Sequence, residues 1–165
     1  MPELSNIKAS ASSCRTAFQA PPALFKALNV IAVDLVARAA DHIFREGTPC
    51  TGVFLLRTGR VRATTQHKDG RDIVNRILGP GAVLGLPSAM CSRPFQFSVE
   101  ALEPCEIGFV ETKSLNEFLR GSPILCMQVV GMMSDELIEL RETRDHMKNC
   151  TNTSCSLHGS CSCAH

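Results

Sequence analysis

The chain has 165 residues, of which 44% are apolar and 20% are charged, a composition typical of one ordinary soluble globular domain. It contains 17 Lys and Arg residues and 16 Asp and Glu residues. The resulting net charge of +1 gives no strong electrostatic field that would favour binding to nucleic acid or to an anionic membrane. No apolar run reaches the roughly 18–20 residues that span a bilayer, and the N-terminus lacks the apolar core of a secretory signal. These features predict a cytoplasmic protein without a membrane partner.

The N-terminal segment, 1–21, is rich in Ser and Ala and has no convincing apolar stripe, which predicts a flexible arm. A short helix is predicted at Pro22–Leu28, with proline in its first turn. The stretch Val30–Ala40 is almost continuously apolar, and periodicity alone does not distinguish a helix from a strand there.

From His42 to Val110 the pattern changes to short apolar or alternating runs separated by glycines. The runs are His42–Phe44, Val53–Leu56, Arg60–Thr65, Asp72–Leu78, Phe97–Leu102 and Cys105–Val110. This spacing predicts an antiparallel β-sandwich or barrel, with a hairpin turn at Lys68-Asp69-Gly70 because Asp-Gly suits the dihedral angles of such turns.

Helical periodicity begins after Glu111. Thr112 is predicted to cap a short helix that Gly121 ends, and Ser122-Pro123 is predicted to begin a long helix, 123–148. The apolar stripe of the long helix has 4-3 spacing and comprises Cys126, Val130, Met133, Leu137, Leu140 and Met147. We expect the first half of this stripe to pack on the β-domain. The second half has heavily charged flanks, and we expect a symmetric dimer interface through Met133–Met147.

The segment Phe44–Met90 carries a recognisable order of turns. They are Glu46-Gly47, Gly59, Asp69-Gly70 and Pro80-Gly81, followed by Gly85. In this respect the chain resembles the cyclic nucleotide-binding domain of the Crp/Fnr regulators, and the resemblance covers roughly residues 43–147. It implies a mainly β, α+β fold: an antiparallel β-roll (jelly roll) over 22–122 that encloses a ligand, with a short helix and a long dimerisation helix after it.

The resemblance also implies a ligand site. In the family a short helix presents backbone amides to the cyclic phosphate, a Glu holds the ribose and an Arg pairs with the phosphate. Leu86 stands where the Glu is expected and Phe95 where the Arg is expected, so cyclic nucleotide binding in the family manner is not expected. The other candidate pocket residues are Gly85, Ser88, Ala89, Met90, Arg93 and Phe97.

These pocket residues leave several alternatives open. The helix amides and Ser88 suit an anion, Arg93 is a candidate substitute for the missing arginine, and the apolar side chains suit another small-molecule effector or a filled core. The sequence favours a filled or repurposed pocket.

The chain has nine cysteines, and in a reducing compartment thiols indicate metal binding, redox chemistry or packing before disulfides. Four of them crowd into the tail, 149–165, which also carries His158. The candidate ligands are Cys150, Cys155, Cys161, Cys163 and His158. Such soft ligands fit one tetrahedral zinc ion or an iron–sulfur cluster, although a tail with incidental thiols is the alternative because no C-x2-C knuckle is present.

No nucleophile triad, paired-carboxylate motif or phosphate-binding loop stands out, so no enzyme is predicted. The resemblance implies a homodimeric regulatory sensor, and its pocket and the cysteine tail make an effector, a metal or a redox change the candidate signals. A DNA-reading module needs roughly 50 residues after the long helix. Since few residues follow Lys148, we do not expect this chain alone to bind nucleic acid. One alternative is a transcription regulator whose DNA-binding domain is absent from this chain, and another is a metal or iron–sulfur protein that uses the tail.

Overall fold

The computed structural model describes residues 18–66, 69–70 and 72–152, with the side chains of 72–75, 139–140 and 142–152 excepted. In chain order the elements are α1 (Pro22–Ile31), β1 (Val33–Ala37), β2 (His42–Phe44), β3 (Gly52–Thr58), β4 (Val61–Gln66), β5 (Asp72–Leu78), β6 (Val83–Leu84), α2 (Leu86–Cys91), β7 (Ser98–Ala101), β8 (Cys105–Glu111), α3 (Thr112–Arg120) and α4 (Pro123–Asn152). All six predicted strands are present, and the ambiguous stretch after Val30 divides between the end of α1 and the strand β1.

Two four-stranded antiparallel sheets form a β-roll. The first sheet has the order β1-β8-β3-β6, and the second has the order β2-β7-β4-β5. Within the second sheet, β4 and β5 pair from Gln66 opposite Asp72, and Gly70 between them has φ +79°. Glycine takes this left-handed conformation without the steric cost of a Cβ. The predicted β-roll and its Asp-Gly hairpin are therefore confirmed, while Lys68 lies outside the described residues.

The first sheet is the middle layer of the molecule. Along β3, Phe54 and Leu56 face the second sheet, whereas Val53 and Leu55 face the helices. Successive side chains of a strand point to opposite faces, so a strand buried on both faces needs a continuous apolar run. This accounts for the sequence Val-Phe-Leu-Leu at the centre of the domain.

Helices α1, α3 and α4 cover the outer face of the first sheet. Their buried side chains are Leu24 and Leu28 on α1, Leu115 and Leu119 on α3, and Val129 and Met132 on α4. Among the described helices, none is long and apolar enough to cross a membrane.

The folded domain begins before the predicted end of the arm at residue 21. Phe18 and Ala20 are buried, and Gln19 forms an isolated bridge with Ala82. The Val83 N–H donates to the Phe18 carbonyl at 2.9 Å, so this segment satisfies backbone groups at the edge strand β6. Residues 1–17 lie outside the described part of the chain.

The predicted Thr112 cap is wrong. Glu111 precedes the first residue of α3 and makes no side-chain capping bond, while the Thr112 hydroxyl is buried without a hydrogen-bond partner among the described residues. The Thr112 N–H instead donates to the Thr51 carbonyl at 3.0 Å. Because β8 runs directly into α3, strand pairing takes the place of a cap.

The face of α4 that packs on the domain also differs from the prediction. Val129 and Met132 are buried, Cys126 and Met133 are partly buried at their side, and Val130 is 54% exposed. The packing stripe is therefore centred one residue earlier than expected, and Val130 belongs to the exposed side of the helix.

Candidate functional site

The segment expected to bind a ligand begins where β6 ends. Gly85, at φ +82°, precedes α2, a six-residue helix with proline in its first turn. The Ala89 N–H donates to the Gly85 carbonyl at 3.0 Å, and the Arg93 N–H donates to the Ser88 carbonyl at 3.0 Å. The Ala89 amide is thus already bonded within the helix, contrary to the expectation that it was available to an anion.

Phe95 fills the interior of the roll. Its side chain is only 4% exposed, and its ring stacks on Phe44 with centroids 4.0 Å apart and an interplanar angle of 16°. The ring centroid of Phe54 lies 5.4 Å from that of Phe44, so Phe54 extends the aromatic cluster. The position at which the resemblance implies a phosphate-binding arginine is therefore occupied by an apolar ring in a packed core.

Two backbone hydrogen bonds also hold Phe95 in place. The Gly47 N–H donates to the Phe95 carbonyl at 2.8 Å, and the Phe95 N–H donates to the Thr48 carbonyl at 3.0 Å. A Cβ added at Gly85 would lie 2.8 Å from the Phe95 ring. The Glu46-Gly47 turn and the start of α2 consequently close around the same ring.

Several of the other predicted pocket residues do not lie beside Phe95. Leu86 and Ala89 pack into the core between the first sheet and the helices, Met90 is 39% exposed and Arg93 is exposed. The expectation that Leu86 and Met90 line the same pocket as Phe95 is wrong, because α2 turns these side chains away from the roll interior. Ser88 is buried.

Phe97 contacts Phe18, a residue that the sequence did not single out. Its half-buried ring meets Phe18 edge-on, with centroids 5.6 Å apart. The Arg76 guanidinium lies 5.0 Å from the centroid of the Phe18 ring, a distance that allows a cation–π contact. Arg76 is opposite Ala63 in the β4–β5 register and so faces inwards. An isolated phenylalanine in a Ser/Ala-rich arm was the available sequence signal for Phe18.

An apolar groove separates α2 from α4. It encloses about 270 Å³. Its lining residues are Pro87, Ser88, Gln96, Phe97, Met133, Glu136 and Leu137. We call this feature the α2–α4 groove. Phe97 and Ser88 are thus predicted pocket residues that do contribute to a cavity, although the cavity opens towards the long helix rather than into the roll.

A second, polar cleft of about 430 Å³ lies on the outer face of the second sheet. Its lining residues are His42, Arg45, Glu46, Arg62, Thr64, Gln66, Ser98 and Glu100. Arg62 and Glu100 form an ion pair at 2.8 Å, and the Gln66 N–H donates to the Glu46 carboxylate at 2.8 Å. The hydrogen bond from Arg62 holds the pKa of Glu100 below its usual value, and the positive charges of Arg62, His42 and Arg45 act in the same direction. The carboxylates of Glu46 and Glu100 therefore already bind to groups of the second sheet.

The described cysteines do not assemble a metal site. In the part of the chain that the structure describes, no group of three or more His, Cys, Asp or Glu side chains is arranged to hold a metal ion. Burial raises the pKa values of the Cys50 and Cys105 thiols, which lowers their thiolate fraction. Cys155, His158, Cys161 and Cys163 lie outside the described residues, and Cys150 is placed in α4 without a described side chain. Zinc or iron–sulfur binding by the tail stays a prediction.

Comparison with known proteins identifies the family. The sequence profile described as "Cyclic nucleotide-binding domain" matches residues 35–122, more than half of the chain. Together with the β-roll and its glycine turns, this match shows that the chain belongs to the cyclic nucleotide-binding domain family.

The relatives are regulators of the Crp/Fnr type. The transcriptional activator protein anr of Pseudomonas aeruginosa is 30% identical over 103 residues, which are 61% of this chain and 41% of that protein. Electron transport regulator A of Shewanella oneidensis is 27% identical over 104 residues, which are 62% of this chain and 40% of that protein. The chain thus spans about two fifths of the length of these curated relatives.

Solved structures share the fold. The Thermus thermophilus catabolite activator protein superposes with a TM-score of 0.70 at 20% identity, over 78% of this chain and 60% of that protein. The predicted fold, a cyclic nucleotide-binding-type β-roll followed by helices, is confirmed.

Proposed function

We propose that this chain is the sensing part of a Crp/Fnr-type regulator that does not use cyclic AMP as its effector and that transmits its state through a dimer formed by α4. The observation that carries this proposal is the ring of Phe95, stacked at 4.0 Å on Phe44 within the roll. A regulator of this kind works by binding and conformational change, so no catalytic residue is assigned.

The filled roll disfavours an anionic nucleotide for two reasons. The bidentate guanidinium that would pair with a phosphate is replaced by a ring, and a buried phosphate without such a partner is strongly penalised. The Phe44–Phe95 stack also occupies the interior itself, so a ligand would have to displace buried aromatic surface. An effector must therefore bind elsewhere or have a different chemistry.

The dimer is supported by the exposed face of α4. Among the side chains of this helix that the structure describes, five apolar ones are more than half exposed: Ile124, Met127, Val130, Leu137 and Ile138. A continuous row of such residues on one helix is typical of a surface that a partner covers. A second copy of the chain, related by a two-fold axis, offers the same apolar row and completes an isologous interface. Of the predicted dimer residues, Val130 and Leu137 lie on this face, Met133 is at its edge, and the side chains of Leu140 and Met147 are not described.

The dimer is tested by light scattering of the wild-type protein and of the Val130→Glu variant. In the wild-type protein we expect a mass twice that of the chain, and in the variant a monomer, because a two-fold interface would bring both introduced carboxylates into one apolar seam. Val30→Glu is the matched control, since Val30 is 82% exposed on α1 and outside this face. A monomeric wild-type protein at micromolar concentration would overturn the dimer, and a dimer that tolerates Val130→Glu would overturn the assignment of its interface to this face of α4.

Control of transcription is a second candidate for the whole protein. It is favoured by the printed name of one relative, a transcriptional activator, of which this chain covers about two fifths. A gel-shift assay with the complete natural reading frame tests it. We expect the complete protein to form a specific DNA complex and a variant truncated after α4 to lose it. The absence of any shift with the complete protein would reject this role.

A further inference from the structure

The polar cleft on the outer face of the second sheet is built from two cross-strand rows of side chains. In the first row, Glu100 on β7 lies between its cross-strand neighbours His42 on β2 and Arg62 on β4. In the second row, Thr64 on β4 is opposite Ser98 on β7. The residues between the two rows on β4 and β7 are buried in the roll, so the rows themselves face outwards. We call the cavity that they line the sheet-face cleft, and its remaining lining residues are Arg45, Glu46 and Gln66.

The hydrogen-bonding groups that this cleft leaves to a ligand are mainly donors. Both of its carboxylates already accept a bond from the sheet, each at 2.8 Å. The Arg45 guanidinium forms no ion pair or hydrogen bond within the described part of the chain. The Ser98 hydroxyl accepts the Glu46 N–H at 2.9 Å, so its own proton is left for another acceptor. A set of donors that includes a guanidinium suits an oxyanion.

The charges of the cleft favour the same kind of ligand at short range. The hydrogen bond from Arg62 is the largest cause of the lowered pKa of Glu100, and the positive charges of Arg62, His42 and Arg45 add to it. A lowered carboxyl pKa records a surrounding that stabilises negative charge. Because the two arginines and two glutamates of the lining cancel formally, the attraction depends on direct contact rather than on a long-range field.

The size and lining of the cleft define the rest of the ligand. Its volume of about 430 Å³ is within the ordinary range of ligand pockets, so the ligand is larger than an inorganic phosphate ion. Among the described residues that line it there is no phenylalanine or aliphatic side chain, and it therefore offers no apolar surface to a lipid chain or a nucleobase. The second carboxylate oxygen of Glu46 and the side-chain amide of Gln66 instead suit hydroxyl groups, which both donate and accept.

We propose that the sheet-face cleft binds a small hydroxylated phosphate ester of the sugar phosphate class. Arg45 and His42 bind the phosphate, with the Ser98 hydroxyl as a further donor. Glu46 and Gln66 bind the hydroxyl groups of the sugar. The cleft lies outside the roll interior and is not lined by α4, so this site goes beyond the proposed function and does not depend on it.

Isothermal titration calorimetry with three probes tests the ligand class. The probes are glucose 6-phosphate, inorganic phosphate and glucose, in a phosphate-free buffer at about pH 7.5, where a phosphate ester is mainly a dianion. We expect one glucose 6-phosphate per chain with a Kd below about 1 mM. Inorganic phosphate should bind about tenfold more weakly, because it lacks the hydroxyl contacts. Glucose, without the charge, should give no saturable heat up to about 10 mM.

Two substitutions with opposite expected effects test the location. Arg45→Gln should weaken glucose 6-phosphate binding about tenfold or more, because it removes a charge-assisted hydrogen bond. Glu100→Gln should strengthen it about fivefold, because it removes a carboxylate that competes for Arg62. A general loss of folding would weaken binding in both variants. The controls are Arg120→Gln on the exposed end of α3 and Glu106→Gln on β8, which make the same changes of charge outside the cleft and should leave binding unchanged.

Three outcomes overturn the proposal. Absence of saturable glucose 6-phosphate binding by the wild-type protein removes the site. Equal affinity for glucose 6-phosphate and either of the other two probes removes the ligand class. Unchanged binding by Arg45→Gln, or weaker binding by Glu100→Gln, would place the ligand elsewhere on the protein. None of these results contradicts the dimer or the filled roll, which are tested separately.

Discussion

Phe95 and Gly85 form one packing unit in the roll. Gly85, directly before α2, has φ +82°, and a Cβ at this residue would lie only 2.8 Å from the Phe95 ring. Conformation and space therefore both select glycine. The same glycine carries part of the family resemblance, and in this chain its missing Cβ leaves the space that the Phe95 ring occupies.

Gly85→Ala should destabilise the protein by about 2 kcal/mol or more, because a left-handed alanine costs about 1 kcal/mol and the Cβ clashes with a buried ring. Chemical denaturation measures the change in the free energy of unfolding. Gly79→Ala is the matched control, since Gly79 has no positive φ and no atom within 4 Å of its added Cβ. Equal effects of the two substitutions would contradict the packing unit.

At the scale of elements, the second sheet is stabilised on its outer face by the Arg62–Glu100 ion pair between β4 and β7. The Arg62 hydrogen bond lowers the pKa of Glu100 in the folded protein from its ordinary value of 4.5. As the pH falls, the unfolded chain therefore takes up this proton first. The stabilisation is complete above the ordinary pKa and is lost as the pH falls through the lower, folded-state value.

Glu100→Gln should reduce stability at pH 7 by about 0.5–1 kcal/mol, the range for a partly exposed pair. The difference from the wild-type protein should shrink below pH 4.5 and disappear at lower pH. Unfolding by urea at a series of pH values measures it. Glu106→Gln, on an exposed position of β8, is the control and should leave stability at pH 7 unchanged. A difference that persists unchanged in acid would rule out the ion pair as its cause.

The strands and helices were predictable because their patterns are local. Alternation in β4 and β7, the continuous run in β3 and the Asp-Gly turn each follow from side-chain direction and turn geometry. The predictions from sequence fail where contacts between distant elements determine the local structure. Thr112 does not cap α3 because β8 continues directly into that helix, and Phe18 joins the core because the segment around it pairs with the edge strand β6.

At the scale of the whole molecule, the candidate site was predictable only in part. The sequence has Leu86 and Phe95 at the two positions where the resemblance implies charged ligand contacts, and in the structure Phe95, but not Leu86, lies in the aromatic core of the roll. The α2–α4 groove was not evident, because Phe97 and Met133 are far apart in the chain and meet only when α4 packs over α2. Of the predicted dimer residues, Val130 and Leu137 do lie on the exposed face of α4, whereas the stripe that packs on the domain is centred one residue earlier than predicted.

The central claim is that the roll is filled by its own aromatic side chains and does not accept cyclic AMP. Isothermal titration calorimetry of the wild-type chain with cyclic AMP tests it directly. The Phe44–Phe95 stack predicts no saturable heat up to millimolar nucleotide. One cyclic AMP bound per chain with a sub-micromolar Kd, a free energy of about −8 kcal/mol or stronger, would contradict it.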